Sequence, residues 1–311
     1  MHALNAHTHS DFGITEFLEE KLGRFGEFLG HVVIDSLLDT LKLVLFLFLT
    51  YLLMEFIEHK AEEKTRRLME RSGVFGPLIG GVFGVFPQCG FSAAAANLFT
   101  GRVITLGTLI AVFLSTSDEM IPVLISGGVA PDRLALIIIY KTLVGIFSGF
   151  SIDLILRLTK RRGEGINIDE LCDNDNCHCE RGIFYSALHH TLSTGLFILI
   201  STLVINAVVF FIGQDRLSEI FVNVPVLSHF IASLVGLIPN CATSVVLSQL
   251  AVSGIITYGT MLSGLLTGAG VGLLVLLKVN KRPKENAMIL AILVIFGTLF
   301  GALSELLPFM A

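Results

Sequence analysis

Long apolar runs separated by short charged connections make up most of the chain. About 20 apolar residues are enough for a helix to cross the hydrocarbon core of a bilayer. Residues 11–30 are amphipathic but too charged to cross, so they are predicted to lie on the membrane surface. The runs predicted to span the membrane are 31–57, 103–129, 133–159, 183–213, 255–278 and 288–308.

Two further apolar segments, 73–100 and 227–252, are each interrupted by a proline, an amide and a cysteine in the same order. The interruptions read VFPQCGFS at 85–92 and LIPNCATS at 237–244. Irregular backbone at membrane depth must line a cavity or be buried in protein. Each segment is therefore predicted to form a broken or re-entrant hairpin of two short helices.

The two interruptions belong to an internal repeat with an offset of 152 residues, the difference between positions 241 and 89. Gln88 and Asn240, both amides, are also paired by this offset. Such a set of identities, polar ones included, indicates two related halves. The identical pairs are Pro87 and Pro239, Cys89 and Cys241, Ser92 and Ser244, Leu98 and Leu250, Ile104 and Ile256, Thr105 and Thr257, Gly107 and Gly259, Thr108 and Thr260, and Leu114 and Leu266.

Basic residues near helix ends mark the cytoplasmic side of a membrane protein. The basic groups at 60–71, 160–162 and 278–284 can all be cytoplasmic only if the two halves insert in opposite orientations, with both termini outside. The predicted fold is therefore an all-α polytopic membrane protein of two inverted repeats and about ten membrane segments. Its predicted parts are a surface segment at 1–30, repeat 1 at 31–159, a cytoplasmic loop at 160–182 and repeat 2 at 183–311.

Composition and charge agree with a membrane protein and exclude several functions. Of 311 residues, 53% are hydrophobic and 15% charged, and the mean hydropathy is +0.79. The net charge of −5 argues against nucleic-acid binding. The chain has no G-x-x-x-x-G-K-[ST] loop for ATP and no nucleophile–base constellation of an enzyme acting on lipid. Inverted repeats with broken helices are typical of secondary transporters and favour alternating access over a pore.

The hairpins supply the candidate substrate site. A proline opens the second arm of each hairpin, so the free N–H groups and the positive end of that helix face the break. The alternative is a pair of proline kinks packed by small residues. The candidate substrate-binding residues are Gln88, Cys89, Ser92, Asn240, Cys241, Thr243 and Ser244.

Two sets of side chains are candidates for binding a metal ion. Asp118 and Glu119 interrupt a span within STSDE and suit a divalent cation, a proton or sodium, although they also resemble a helix cap. Cys89 and Cys241 would suit a soft metal or a trivalent metalloid if the repeat brings them together, or they are small packing residues.

Further ionisable residues are candidates for a pathway or for coupling. Asp35, Asp39 and Lys42 share one face of the first span, where Asp39 and Lys42 can also neutralise each other. Lys141 needs a partner, for which Asp118, Glu119 and Asp153 are available. His189 and His190 are adjacent, so at most one of them is expected to face the interior, and His189 is the candidate for a pathway or coupling role. Glu55, Asp153 and Glu305 lie nearer span ends and are more typical of snorkelling or capping groups.

The loop CDNDNCHCE at 172–180 is dense in metal-binding side chains, namely Cys172, Cys177, His178 and Cys179. Its spacing matches no standard zinc finger, so the loop either captures metal in the cytoplasm or is simply hydrated. No other cofactor is expected. GxxxG spacings, which permit close helix contact, occur at Gly76, Gly80 and Gly84, at Gly145 and Gly149, and at Gly264, Gly268 and Gly272.

Long motifs in both halves resemble the ten-transmembrane heavy-metal exporter family. They read PQCGFSAAAANL at 87–98, TLIAVFLSTSDEMIPVL at 108–124, GLIPNCATSVVL at 236–247 and GTMLSGLLTGAGVGLLVL at 259–276. The resemblance covers nearly all of residues 31–308. It implies export of a metal or metalloid, since members carry the names arsenic efflux protein and manganese transporter.

The two names imply substrates that prefer different ligand atoms. Manganese favours oxygen ligands such as Asp118 and Glu119, whereas trivalent arsenic favours the thiolates of Cys89 and Cys241. The sequence tilts slightly toward a divalent cation, and transport of an anion coupled to a cation remains a further alternative. The expected setting is a bacterial or archaeal plasma membrane, with the lipid bilayer and a small inorganic ion as partners and a homodimer left open.

Overall fold

The computed structural model describes residues 75–85, 89–116, 120–158, 183–212 and 227–307, with short helical stretches between residues 33 and 52. All regular structure in these residues is helical. The helices are α1 Gly76–Gly84, α2 Cys89–Thr100, α3 Leu106–Ser115, α4 Met120–Ser126, α5 Pro131–Leu158, α6 Ile183–Ile212, α7 Ser228–Gly236, α8 Cys241–Val252, α9 Tyr258–Thr267, α10 Val271–Val279 and α11 Pro283–Ser304.

Five helical stretches among the described residues are long and apolar enough to cross a membrane. They are Leu106–Ser126, Pro131–Leu158, Ala187–Val204, Tyr258–Val279 and Pro283–Ser304. Outward side chains such as Leu143, Phe147 and Leu192 are at least 60% exposed, as expected of surfaces that face lipid tails. The predicted all-helical integral membrane protein is therefore confirmed, while about half of the predicted span 31–57 lies outside the described residues.

The last span begins earlier than its apolar run suggests. It was predicted from residue 288, but α11 starts at Pro283 within the charged segment KRPKENA. Proline suits the first turn of a helix because its missing N–H needs no partner there. Glu285 in the same turn is favourable near the positive end of the helix. Polar residues therefore extend the helix beyond the part that hydropathy detects.

The helix bounds recur at the interval seen in the sequence. Four helices of the first half have a counterpart that starts 152 residues later. The paired first residues are Gly76 and Ser228, Cys89 and Cys241, Leu106 and Tyr258, and Pro131 and Pro283.

A second type of break is also common to both halves. Helix α3 ends before Thr116 and α4 starts at Met120; α9 ends before Gly268 and α10 starts at Val271. Gly270 has φ +53° and ψ −141°, a conformation that only glycine adopts without strain. The helix break at STSDE therefore has a counterpart in the second half, where TGAGV at 267–271 lacks the two acids.

Close backbone contacts hold each half together. Within the first half α3 packs on α1 and α5, and within the second half α9 packs on α7 and α11. A methyl group added at Gly149 would lie 2.5 Å from the Gly107 carbonyl oxygen, and one at Gly259 would lie 3.0 Å from that of Gly301. Glycine at these equivalent crossings allows the helices to approach, which is the packing role predicted for Gly149.

Helices α2 and α8, which are the second arms of the two predicted hairpins, contact the opposite half. Helix α2 packs mainly on α10, and α8 packs on α4 as well as on α9. The two halves are therefore joined through α2 and α8, each of which packs on a helix of the other half. These contacts bring the helix breaks of the two halves together.

The helices α3 and α9 start with matching polar caps. Thr105 accepts a hydrogen bond from the Thr108 amide and donates one to Asp153, with an oxygen–oxygen distance of 2.7 Å. At the equivalent place Thr257 donates to Glu305 at 2.5 Å. Asp153 also accepts from the Gly107 amide at 2.9 Å. Both carboxylates therefore act at helix starts, in the capping role the sequence favours for them.

Candidate functional site

A small cavity, with room for about one water molecule, lies where the two halves meet. The end of α3, the start of α4 and the middle of α5 border it from the first half, and α7, α8 and α9 border it from the second. The lining residues are Thr116, Met120, Lys141, Gly236, Thr243, Ser244, Leu247, Gly264, Leu265 and Gly268. Most of them lie beside a helix break, so backbone polar groups contribute to the wall.

Lys141 is the charged side chain among these lining residues, and it is only 1% exposed. Its Nζ donates to the carbonyl oxygen of Thr116 at 2.5 Å and to that of Leu265 at 3.0 Å. These carbonyls lie at the C-terminal ends of α3 and α9, where a helix carries partial negative charge. In broken-helix transporters such ends bind cations. The ammonium group thus occupies a cation-binding position shared by the two halves.

Of the three acids proposed as partners of Lys141, the structure describes Asp153 and leaves Asp118 and Glu119 outside the described residues. Asp153 lies 12 residues further along α5, about 18 Å by the helical rise, and it caps α3 instead. Asp118 and Glu119 lie outside the described residues. The residues on either side of the segment that carries them, Thr116 and Met120, both line the cavity.

The second hairpin borders the cavity with hydroxyl groups. Thr243 and Ser244 lie in the first turn of α8 and line the wall. Thr243 is 5% exposed, and its hydroxyl donates to the Asn240 carbonyl at 2.7 Å. This bond fixes the turn that precedes α8, so Thr243 shapes the break as well as the wall. Asn240 itself is partly buried in that turn and is not among the lining residues.

The first hairpin takes a different position. Ser92 is fully buried, and a methyl group added at Gly272 of α10 would lie 2.7 Å from the Ser92 carbonyl carbon. The residue equivalent to Gly272 in the first half is Met120, which lines the cavity. Glycine lets α10 close onto α2, whereas the methionine side chain stands between α4 and α8. The cavity therefore lies beside the second hairpin, and Ser92 is not part of its lining.

Several predicted site residues lie outside the described part of the chain. They include Gln88, Asp35, Asp39, Lys42 and the loop residues Cys172, Cys177, His178 and Cys179. Cys89 and Cys241 are the first residues of α2 and α8, but their side chains are likewise outside it. Within the described residues, no three His, Cys, Asp or Glu side chains are close enough to hold a metal ion.

Comparison with protein families identifies the family to which the chain belongs. The family described as "Putative, 10TM heavy-metal exporter" matches residues 29–212, which is more than half of the sequence. The chain belongs to this family. No curated protein and no solved structure matches it. The matched region contains the first half, the 160–182 loop and α6.

Sequence reasoning missed part of the cavity lining in this member of the 10TM heavy-metal exporter family. It identified Thr243, Ser244 and Lys141, which the structure brings to one cavity. It did not identify Thr116 and Leu265, because they contribute carbonyl oxygens that every residue possesses. A usable signal existed in TGAG at 267–270, whose glycines follow an apolar helix at the same offset as STSDE.

The histidine pair occupies a separate region of this family member. His190 is 3% exposed and His189 is exposed, so His190 is the member that faces the interior. His189 was the residue favoured for a pathway or coupling role. On an α-helix adjacent side chains diverge by about 100°, which sequence alone cannot resolve into inward and outward.

Proposed function

We propose that the protein is a secondary active transporter that exports a divalent metal cation such as Mn²⁺ through the cavity between the halves. The observation that carries this proposal is the pair of carbonyl ends, at Thr116 and Leu265, held by one ammonium group inside the cavity. A position that accommodates a buried ammonium ion has the electrostatic character that a metal cation needs. Membership of the exporter family supports the direction of transport.

The transport mechanism in this proposal is alternating access by two inverted repeats. The hairpin arms contain 9 and 12 residues, which corresponds to about 14 and 18 Å of helix. Neither arm can cross a core of about 30 Å alone, which supports hairpins that enter and return. The matching helix starts at an interval of 152 residues support a common origin of the halves.

The proposed ligands are oxygen atoms. Asp118 and Glu119 lie in the three-residue segment between two lining residues, Thr116 and Met120, and their carboxylates suit Mn²⁺. Carbonyl oxygens at the breaks and the Ser244 hydroxyl complete a hard-ligand set. In this arrangement the metal ion displaces the Lys141 ammonium from the carbonyl ends, so the empty cavity is never left with unbalanced negative charge.

The decisive experiment is Mn²⁺ flux into liposomes that contain the purified protein. Wild type should move Mn²⁺, and Asp118→Asn should reduce the rate by at least about tenfold, since loss of one hydrogen-bonded charge at a metal site costs more than 1.4 kcal/mol. Asp132→Asn is the matched control, because Asp132 is an exposed acid at the start of α5. Equal rates for Asp118→Asn and wild type would contradict this ligand assignment.

A second candidate substrate is arsenite or another oxygen-rich metalloid or anion. The observation favouring it is the same Lys141 cation beside the first turn of α8, a helix end that attracts negative charge. Cys89 and Cys241 at equivalent helix starts would supply thiolates for trivalent arsenic. The same liposomes should therefore be offered arsenite and phosphate. If wild type moves arsenite but not Mn²⁺, and Cys89→Ser loses this movement, arsenite would rank above Mn²⁺ as the substrate. Movement of phosphate would establish the anion alternative.

A further inference from the structure

A buried polar cluster lies apart from the cavity, between α2, α6 and the described helical residues near 51. The Tyr51 hydroxyl donates to Asn97 Oδ1 at 3.2 Å and lies 2.9 Å from Thr194 Oγ1. The ring of His190 stacks on that of Tyr51, with centroids 5.3 Å apart and planes 20° apart. All four side chains are at most 3% exposed. Such a network is costly in an apolar span and therefore points to a function.

Hydrogen-bonding capacity remains in the cluster. Asn97 is fully buried, and within the part of the chain that the structure describes its Nδ2 has no hydrogen-bond partner. A buried amide without a hydrogen-bond partner is energetically unfavourable. Exchanging the two ends of the amide would leave the oxygen unpaired instead. In either orientation one atom of the Asn97 amide can still form a hydrogen bond. The cluster can therefore accept a water molecule or undergo a rearrangement of protons.

The cluster lies near one end of its helices. His190 is seven residues after Ile183, the first residue of α6, or about 10 Å along the axis. Asn97 is three residues before Thr100, the last residue of α2. The charge pattern predicts that both of these ends are cytoplasmic, so the cluster is within reach of cytoplasmic water.

We propose that His190, with Tyr51, Asn97 and Thr194, forms a proton-binding site that couples a proton gradient to transport. This role rests on the transport function proposed above. Histidine is the side chain whose unperturbed charge change falls between about pH 5 and 8. Protonation of the His190 ring changes the electrostatics of the stacked Tyr51 ring, and Tyr51 is hydrogen-bonded to α2. Proton occupancy thereby biases the hairpin arm that contacts the opposite half.

Several described side chains lie near the His190 ring. His189 precedes it with ring centroids 6.4 Å apart, and the Tyr51 ring covers one face. On α10, Lys278 donates to Ser193 at 2.8 Å, about one turn from His190. The Lys278 ammonium also lies 5.6 Å from the Phe197 ring centroid. Lys278 is therefore the described cation that opposes protonation, and its distance from the ring depends on how α10 sits against α6.

Tyrosine fluorescence tests the site without any substrate. The chain has no tryptophan and only four tyrosines, so its intrinsic emission comes from tyrosine. A protonated imidazole quenches a tyrosine ring stacked on it. Wild type should therefore lose emission as the pH falls. This transition should vanish in His190→Gln and in Tyr51→Phe and persist in His189→Gln, the matched neighbouring control.

Two fluorescence results would overturn the proposal. One is an unchanged transition in His190→Gln, whether or not His189→Gln loses it; the other is a transition that persists in Tyr51→Phe. If His190→Gln does not fold, Tyr51→Phe still removes the reporter and the link to α2 while keeping the ring. A transition that persists in Tyr51→Phe assigns the signal to another tyrosine and also contradicts the site.

Flux measurements then test coupling. One proton exchanged per ion supports up to about tenfold accumulation across a gradient of one pH unit. His190→Gln should lose this accumulation while still exchanging Mn²⁺ downhill, and His189→Gln should keep both. Accumulation retained in His190→Gln would refute coupling through this residue, and so would loss of downhill exchange in a folded variant. If wild type moves no Mn²⁺, the proposed function fails while the fluorescence result still decides whether the proton site exists.

Discussion

At the scale of single residues, Lys141 has the clearest physical constraint. Its ammonium group is buried and held by two backbone carbonyls from different halves. A buried charge is tolerated only when it is well compensated, and removing one partner leaves the other groups unsatisfied. Lys141 therefore contributes to the stability of the contact between the two halves, because its ammonium group fills the position between the two carbonyls.

Replacing Lys141 by methionine should separate the two candidate substrates. The variant should be less stable than wild type by about 3 kcal/mol, because the Thr116 and Leu265 carbonyls lose their donor. Mn²⁺ should raise the melting temperature of Lys141→Met more than that of wild type, since a bound cation replaces the ammonium and ligand binding stabilises the folded state. Thermal unfolding in detergent with and without Mn²⁺ measures both effects.

The matched control for this experiment is Lys281→Met, which removes an exposed lysine outside the cavity. It should change neither the stability nor the response to Mn²⁺. A cavity built for anions predicts the opposite of the Mn²⁺ result: phosphate would stabilise wild type, and Lys141→Met would lose that stabilisation.

At the scale of secondary-structure elements, the choice between Gly272 and Met120 decides which hairpin borders the cavity. The two residues are equivalent in the repeat, yet α10 contacts Ser92 of α2 closely while Met120 lines the cavity beside α8. A single difference in side-chain volume thus makes two related halves asymmetric.

Gly272→Ala should destabilise the protein by about 1–3 kcal/mol, the usual cost of overpacking. The added methyl group would lie 2.7 Å from the Ser92 carbonyl carbon, and backbone at that distance can only move away. Gly268→Ala is the matched control on the same segment, because its nearest atom would be 3.4 Å away, an ordinary contact. Equal melting temperatures for the two variants in detergent would show that α2 and α10 are not packed as described.

The elements differ in how far the sequence could predict them. Apolar length and the two prolines are local signals, so the five apolar spans and the starts of the helices that follow the prolines were predictable, with bounds within a few residues for α6 and α8. The break at 268–270 gave no polar signal, because glycine and alanine keep the segment apolar. Lys141 and Thr243, which line the cavity, could be singled out from the sequence because they are polar. The absence of Ser92 from the lining was not, since it depends on Gly272 in a distant helix.

At the scale of the whole molecule, an ion pair joins the end of the first hairpin to the start of the last span. Arg102 Nη1 and Nη2 donate to the two carboxylate oxygens of Glu285 at 2.8 and 2.9 Å. Asn280 donates to the same carboxylate at 3.0 Å. Arg102 has φ +57°, a left-handed conformation that its equivalent Gly254 adopts at φ +73°. An arginine in a conformation that favours glycine indicates that its side-chain contact offsets backbone strain of about 1–2 kcal/mol.

The Arg102–Glu285 pair should therefore stabilise the junction of the two halves measurably. A double-mutant cycle of Arg102→Ala, Glu285→Ala and the double variant should give a coupling energy of about 1–3 kcal/mol, since the pair is bidentate and mostly buried. Lys284→Ala, which removes an exposed charge next to Glu285, should cost less than about 0.5 kcal/mol. Because the pair connects α2 of one half with α11 of the other, a rocking motion between the halves has to strain or break it. Additive single effects would instead mean that α11 holds its place without its contact to the end of the first hairpin.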